Sequence, residues 1–295
     1  MQEKNKEVLM VIFWALGNMM VAALNDLLFK FYARKARSQG LFCAIIGVIW
    51  CIFFCLVLKN SVENWKATLI WGSISGFFSI GGNLLMLDSM KKLDVGVCST
   101  IYRLNLVPAV LLAAIFLGEK ITLIQYIAIV CACLAVLAFR PRRSSSERGM
   151  TLSLIVMVIA SFMRAGMGLS YRYGFSVAEA DVQFVPFINS LFWVLGGLLY
   201  GFCREKDELK QLKDSAICKK LLGYGVASGV LVSLITLTMA KALEGGAVSL
   251  VLPIMQMSFL VTGLFGVLFM HEKITFLKVT AFILGIATVL LLSFS

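Results

Sequence analysis

A chain of 295 residues that is 60% hydrophobic, with a mean hydropathy of +0.92, is too apolar for a water-soluble domain of its size. Its net charge of +11 does not point to nucleic acid. The basic residues sit in short clusters between apolar blocks (Arg34, Lys35 and Arg37; Arg140, Arg142 and Arg143; Lys219 and Lys220), the pattern of loops at a charged membrane surface. Eight cysteines, most of them inside apolar blocks, with no Cys-x-x-Cys and a single histidine (His271), argue against a zinc site or a disulfide frame.

In chain order the apolar residues form ten blocks, near 8–30, 41–58, 67–87, 95–117, 121–139, 151–174, 183–203, 221–242, 246–270 and 274–294. A helix needs about 20 mostly apolar residues to cross a bilayer, and these blocks lack the alternation of barrel strands. Lipid offers the backbone no hydrogen-bond partner, so uninterrupted blocks predict helices. The first block follows Met-Gln-Glu-Lys-Asn-Lys-Glu directly and runs on past Ala23, which predicts a membrane helix, not a cleaved leader. It places Trp14, Asn18 and Asn25 on one face, with Asp26 as its acid toward the far end. The third block has Ser75, Ser79 and Asn83 on one face, and the fourth carries Tyr102, Arg103 and Pro108. Residues 140–149, Arg-Pro-Arg-Arg-Ser-Ser-Ser-Glu-Arg-Gly, read as a linker at mid-chain. The sixth block then carries Arg164, Gly168 and Tyr171; the eighth, Ser233 and Thr236; the ninth, Ser249, Pro253 and Gln256.

One stretch occurs twice. Leu93–Thr122 aligns with Leu243–Thr275: Leu93, Asp94, Gly96 and Ser99 match Leu243, Glu244, Gly246 and Ser249, and Gly118-Glu119-Lys120-Ile121-Thr122 matches His271-Glu272-Lys273-Ile274-Thr275. Echoes extend further: Ile49-Trp50 faces Phe192-Trp193, and Trp71-Gly72 with Ser75-Gly76 faces Tyr224-Gly225 with Ser228-Gly229. The chain therefore reads as one unit used twice. Five spans per unit force the second copy to cross the membrane in the opposite sense, and such repeats place a binding site near the midplane between them.

Two runs of five helices, each with a fourth that ends in Glu-Lys-Ile-Thr ahead of a fifth, resemble the EamA-like branch of the drug/metabolite transporter superfamily. The resemblance covers essentially the whole chain. It implies an all-α integral membrane protein of ten transmembrane helices in two inverted-topology repeats, 1–139 and 150–295, joined by 140–149. It also implies transport instead of catalysis, and a central cavity lined by helices 1, 3, 4, 6, 8 and 9. Pro108 falls where the family's proline falls, whereas Pro253 is displaced toward the N-terminus.

Arg103 and Arg164 are the sharpest functional signals. An arginine at mid-span costs about 2.5–3.5 kcal/mol on insertion scales, so it should face a cavity or a partner. One reading is a clamp on a carboxylate or phosphate, since guanidinium offers a planar fork of donors. The other is a structural contact to backbone carbonyls, Asp26 or Asp88. No acid lies deep in helices 3, 4, 6, 8 or 9, so two uncompensated guanidinium groups in one cavity predict an anion between them. With Trp14, Asn18, Asn25, Asn83, Tyr102, Tyr171 and Gln256, they form the expected substrate site, though hydrogen bonding between helices also accounts for the asparagines. The substrate class that follows is a small polar metabolite, anionic or zwitterionic, moved by alternating access. The alternative is efflux of organic cations, with Trp14, Tyr102 and Tyr171 as cation–π surfaces. Proton-coupled exporters of the related small multidrug resistance family use a Glu deep in their first helix; none is present here.

The expected partners are the lipid bilayer and a small-molecule substrate. Nucleic acid, metal and cofactor are not implied, and a monomer in the bacterial inner membrane is expected. With Arg103 and Arg164 set aside, the termini side carries seven of the 27 basic residues (Lys4, Lys6, Lys59, Lys66, Lys120, Arg172, Lys241) and the other side the remaining eighteen. The positive-inside rule makes the charge-rich side cytoplasmic, while the resemblance favours termini inside.

Overall fold

The structure is a computed structural model that describes residues 2–34, 37–57, 62–117, 121–138, 147–181, 183–210, 214–245 and 254–293. Gly118, Glu119 and Lys120, Gly246, Ser249 and Pro253, and most of the 140–149 linker lie outside the described residues. The regular structure is helical throughout: α1 Gln2–Ala33, α2 Gln39–Val57, α3 Trp65–Met90, α4 Val95–Arg103, α5 Leu106–Leu117, α6 Leu123–Ala138, α7 Glu147–Ser176, α8 Phe184–Arg204, α9 Lys206–Lys210, α10 Ser215–Gly245, α11 Ser258–Met270 and α12 Phe276–Ser293. Among the described residues, seven segments are long and apolar enough to span a bilayer, and three shorter apolar helices, Leu123–Ala138, Ile254–Met270 and Phe276–Leu292, accompany them. Large apolar side chains such as Phe13, Leu56, Leu199 and Phe276 are exposed, as expected of surface that faces lipid. The protein is an all-α, multi-pass membrane protein.

The helices start where side chains supply acceptors for their first N–H groups. Asn64 Oδ1 accepts from Ala67 N of α3 at 3.1 Å. Thr122 and Gln125 form a reciprocal capping box at the start of α6 (2.9 and 3.3 Å). Thr275 accepts from Lys278 N at 3.3 Å. The threonine that ends each Glu-Lys-Ile-Thr run is thus the cap of the next helix. The run in the second copy begins with His271 at φ 54°, a left-handed C-cap where the first copy has Gly118.

Packing pairs the two halves in a reciprocal way. Helix α1 lies on α10 as α3 lies on α7; α2 lies on α10 as α8 lies on α3; α1 meets α11 as α7 meets α4 and α5. The small residues follow the same rule. Gly72 and Gly76 of α3 receive Ile188 and Phe192 of α8, while Gly225 and Gly229 of α10 receive Ile45 and Ile49 of α2. Helices α2 and α8 cross at backbone contact through Gly40 and Gly197.

The largest core, with Phe29, Tyr32, Phe42, Ile46, Leu87 and Met90 fully buried, fills the end where α1 and α3 finish and α2 and α4 begin. Polar contacts seal that end. Glu205 accepts from Ser38 Oγ (2.8 Å), Gln39 N (3.0 Å) and Gly40 N (2.9 Å), which caps α2 from the far half. Glu272 does the same for α4, accepting from Val95 N at 2.7 Å. Lys278 pairs with Asp94, and Lys30 donates to the Met90 carbonyl at 2.7 Å and to that of Leu93. Burial, with Asp94 nearby, pushes the Glu272 carboxyl above its usual range, although the Val95 N–H pulls the other way.

Candidate functional site

The fourth apolar block is not one helix. It breaks at Leu104–Asn105 into α4 and α5, because Pro108 has no N–H to return to the Leu104 carbonyl. That carbonyl accepts from Val107 N at 3.0 Å in a tighter turn. The second half repeats the break: Met257 interrupts the helix before α11, and its carbonyl accepts from Leu260 N at 3.0 Å. The two breaks touch, with Gln256 Nε2 donating to Asn105 Oδ1 at 3.3 Å.

Arg103 stands at the α4 break. One nitrogen, Nη2, lies 3.6 Å from Asp26 Oδ2 of α1, and the Asp26 side chain is only 6% exposed. The same carboxylate oxygen accepts from Ser99 Oγ at 2.7 Å and Thr262 Oγ1 at 3.4 Å. This corrects the expectation that both guanidinium groups lack a counter-charge: Arg103 has Asp26. The expectation placed Asp26 at the far interface. Asp26 lies about 10 Å back from the C-terminus of α1 at Ala33, and Arg103 about 12 Å on from the N-terminus of α4 at Val95, at 1.5 Å per residue, so the two meet at similar depth.

Arg164 of α7 lies over the Tyr102 ring, 5.8 Å from its centroid, and donates to Met167 Sδ at 3.3 Å. No carboxylate is within ion-pair reach of it among the described residues. Among the described residues three buried polar atoms in this region have no hydrogen-bond partner: Tyr102 Oη and Arg103 Nε at the arginines, and Ser258 Oγ one turn before Thr262 on α11. Buried polar groups are as a rule hydrogen-bonded, so such a group of orphans marks a place where a ligand or water completes the bonding. Ser258 opens α11, whose N-terminus adds positive partial charge at the second break.

Of the expected site residues, described contacts bring Tyr102, Arg103 and Arg164 together and place Gln256 against the break at Asn105. The others are used between or within helices. Asn18 donates to the Ile235 carbonyl (2.7 Å) and Thr238 Oγ1 (3.0 Å). Asn25 accepts from Ser228 at 2.5 Å. Trp14 packs with Val11, Ala15, Ala242 and Met255. Asn83 donates to the Ser79 carbonyl on its own helix at 2.9 Å. Tyr171 accepts from Asn189, whose Oδ1 accepts from Ser75 at 2.8 Å. The sequence reading missed Asn105 and Asn189, and it offered Asp26 only as one of several structural partners for the arginines. Polar character inside an apolar block was the available signal for each.

The profile of the EamA-like transporter family matches residues 9–140 and again 151–294. No curated protein matches the chain. Twenty-eight chains of solved structures match in fold. One crystal structure superposes with a TM-score of 0.61 at 13% identity, covering 94% of this chain and 94% of that one, a likeness of fold alone.

Proposed function

Because the chain belongs to the EamA-like transporter family, within the drug/metabolite transporters, we propose that its solute is a small polar metabolite with an acidic group, anionic or zwitterionic, bound at Arg164. Secondary transport across the bilayer, without an enzymatic role, comes with the family. The observation that carries the finer reading is the state of Arg164. It is a mid-span guanidinium with a tyrosine face and a thioether for company, near unpartnered polar atoms of Tyr102 and Arg103. A carboxylate there would make charge-assisted hydrogen bonds in a medium of low dielectric.

The reading includes alternating access between two inverted five-helix repeats, 1–139 and 150–295, making ten spans. The reciprocal packing of α1 with α10 and α3 with α7 supports it, as do the matched breaks at Leu104–Asn105 and Met257. A monomer in the bacterial inner membrane belongs to the same proposal. Efflux of organic cations is disfavoured: Arg164 already covers the Tyr102 ring, and the site carries one more cation than anion.

A thermal-shift screen of the purified protein against amino acids, hydroxy and oxo acids, sugar phosphates and organic cations tests this. Stabilisation confined to solutes with an acidic group is expected. Stabilisation by organic cations alone would overturn it.

A further inference from the structure

We propose that Asp26 sets the charge of the solute: by holding Arg103 it leaves the site one net positive charge, on Arg164, and so selects solutes with one acidic group over solutes with two. The proposal rests on the anion-transport reading above and deepens it.

The geometry is specific. Ser99, Thr262 and Arg103 all address Oδ2 of Asp26, from α4 and α11, so two helices of different halves fix the carboxylate. Its Oδ1 takes no hydrogen bond among the described residues. The Arg103 contact, at 3.6 Å, is an ion pair without a hydrogen bond, and Nε has no partner. Arg103 is therefore neutralised by charge, not tied up in a fitted fork, and a second anion on its open donors would meet the repulsion of the Asp26 carboxylate. The next charged groups lie a helical turn or more further out, beyond the site. Lys30, one turn along α1, is committed to the Met90 and Leu93 carbonyls. With Arg34, Lys278, Asp94 and Glu272 it forms an outer group of three cations and two anions at the ends of the helices. The site thus holds one acid and two bases, and a single carboxylate on Arg164 brings it to neutrality.

The test compares wild type, Asp26→Asn, Arg103→Gln and the double variant in detergent. Affinities are read by thermal stabilisation with monocarboxylates, amino acids and dicarboxylates at neutral pH. Asp26→Asn frees Arg103 and should raise dicarboxylate affinity relative to monocarboxylate by about tenfold or more. Arg103→Gln leaves one acid and one base and should weaken all acids by a similar factor. The double variant should regain the wild-type preference, because its charge sum is again that of Arg164. It also answers the question if either single variant fails to fold. An unchanged preference in Asp26→Asn, unchanged affinity in Arg103→Gln, or a double variant that prefers dicarboxylates would overturn the proposal. If no acid stabilises the wild type, it is the anion-transport reading that fails.

Discussion

The crossing of α2 and α8 gives a sharp energetic test. A Cβ on Gly40 would lie 2.4 Å from the Gly197 carbonyl oxygen, 2.4 Å from Gly201 N and 2.7 Å from Gly201 Cα. All three are backbone atoms, so no side chain can rotate away, and the helices must part by about 1 Å. A gap of that size forfeits a quarter to a half of each contact well along the crossing. Overpacking of this kind costs about 1–3 kcal/mol, against about 1 kcal/mol gained by replacing glycine with alanine in a helix. Gly40→Ala should lose stability on the order of 2 kcal/mol at most. The control is Gly223 in α10, where an added Cβ meets nothing within 4 Å; Gly223→Ala should gain about 1 kcal/mol. Thermal unfolding in one detergent reads both. A Gly40→Ala protein as stable as Gly223→Ala would refute the account of how the two halves are held together.

Two further outcomes follow from particular side chains. Trp193 Nε1 donates to Ser79 at 2.9 Å, but its counterpart Trp50 Nε1 is buried without a partner among the described residues. The alignment of Trp71-Gly72 with Tyr224-Gly225 puts Val232 opposite Ser79. Val232→Thr should therefore gain about 1 kcal/mol by accepting the Trp50 N–H; a loss of that size would show that the repeat does not place the two in reach. Glu272 binds its proton more tightly in the folded state, so its contribution to stability falls as pH rises from the usual carboxylate range through its raised value. In Glu272→Gln, melts across the acid-to-neutral range should lack that decline; an identical slope in both proteins would assign it to another group.

The architecture was legible because lipid imposes a coarse rule. Each of the ten apolar blocks contains at least one described helix, since a backbone without water has few other choices. The recurrence of Glu-Lys-Ile-Thr was legible as a local signal, because each run ends in the threonine that caps the next helix. The break at Leu104–Asn105 was only half legible: Pro108 announced a bend, but the tighter turn depends on which N–H reaches the freed carbonyl. Arg103 and Arg164 were conspicuous for their cost, yet the sequence could not rank them. Asp26 meets Arg103 across 77 positions, and that meeting depends on how deep each helix sits. Asn18 and Asn25 were ambiguous for the opposite reason: a polar face suits a cavity or a neighbour equally, and the described contacts of both are with α10.

Solute flux through Arg164 tests the central claim most directly. Wild type, Arg164→Lys and Arg164→Ala would be reconstituted into proteoliposomes, and uptake measured of the acidic solute that best stabilises the wild type. The expected result is uptake by the wild type, reduced uptake by Arg164→Lys, which keeps the charge and loses the fork, and uptake lowered about tenfold to a hundredfold in folded Arg164→Ala, as expected when a charge-assisted contact is lost. Wild-type uptake and affinity in a folded Arg164→Ala protein would contradict it.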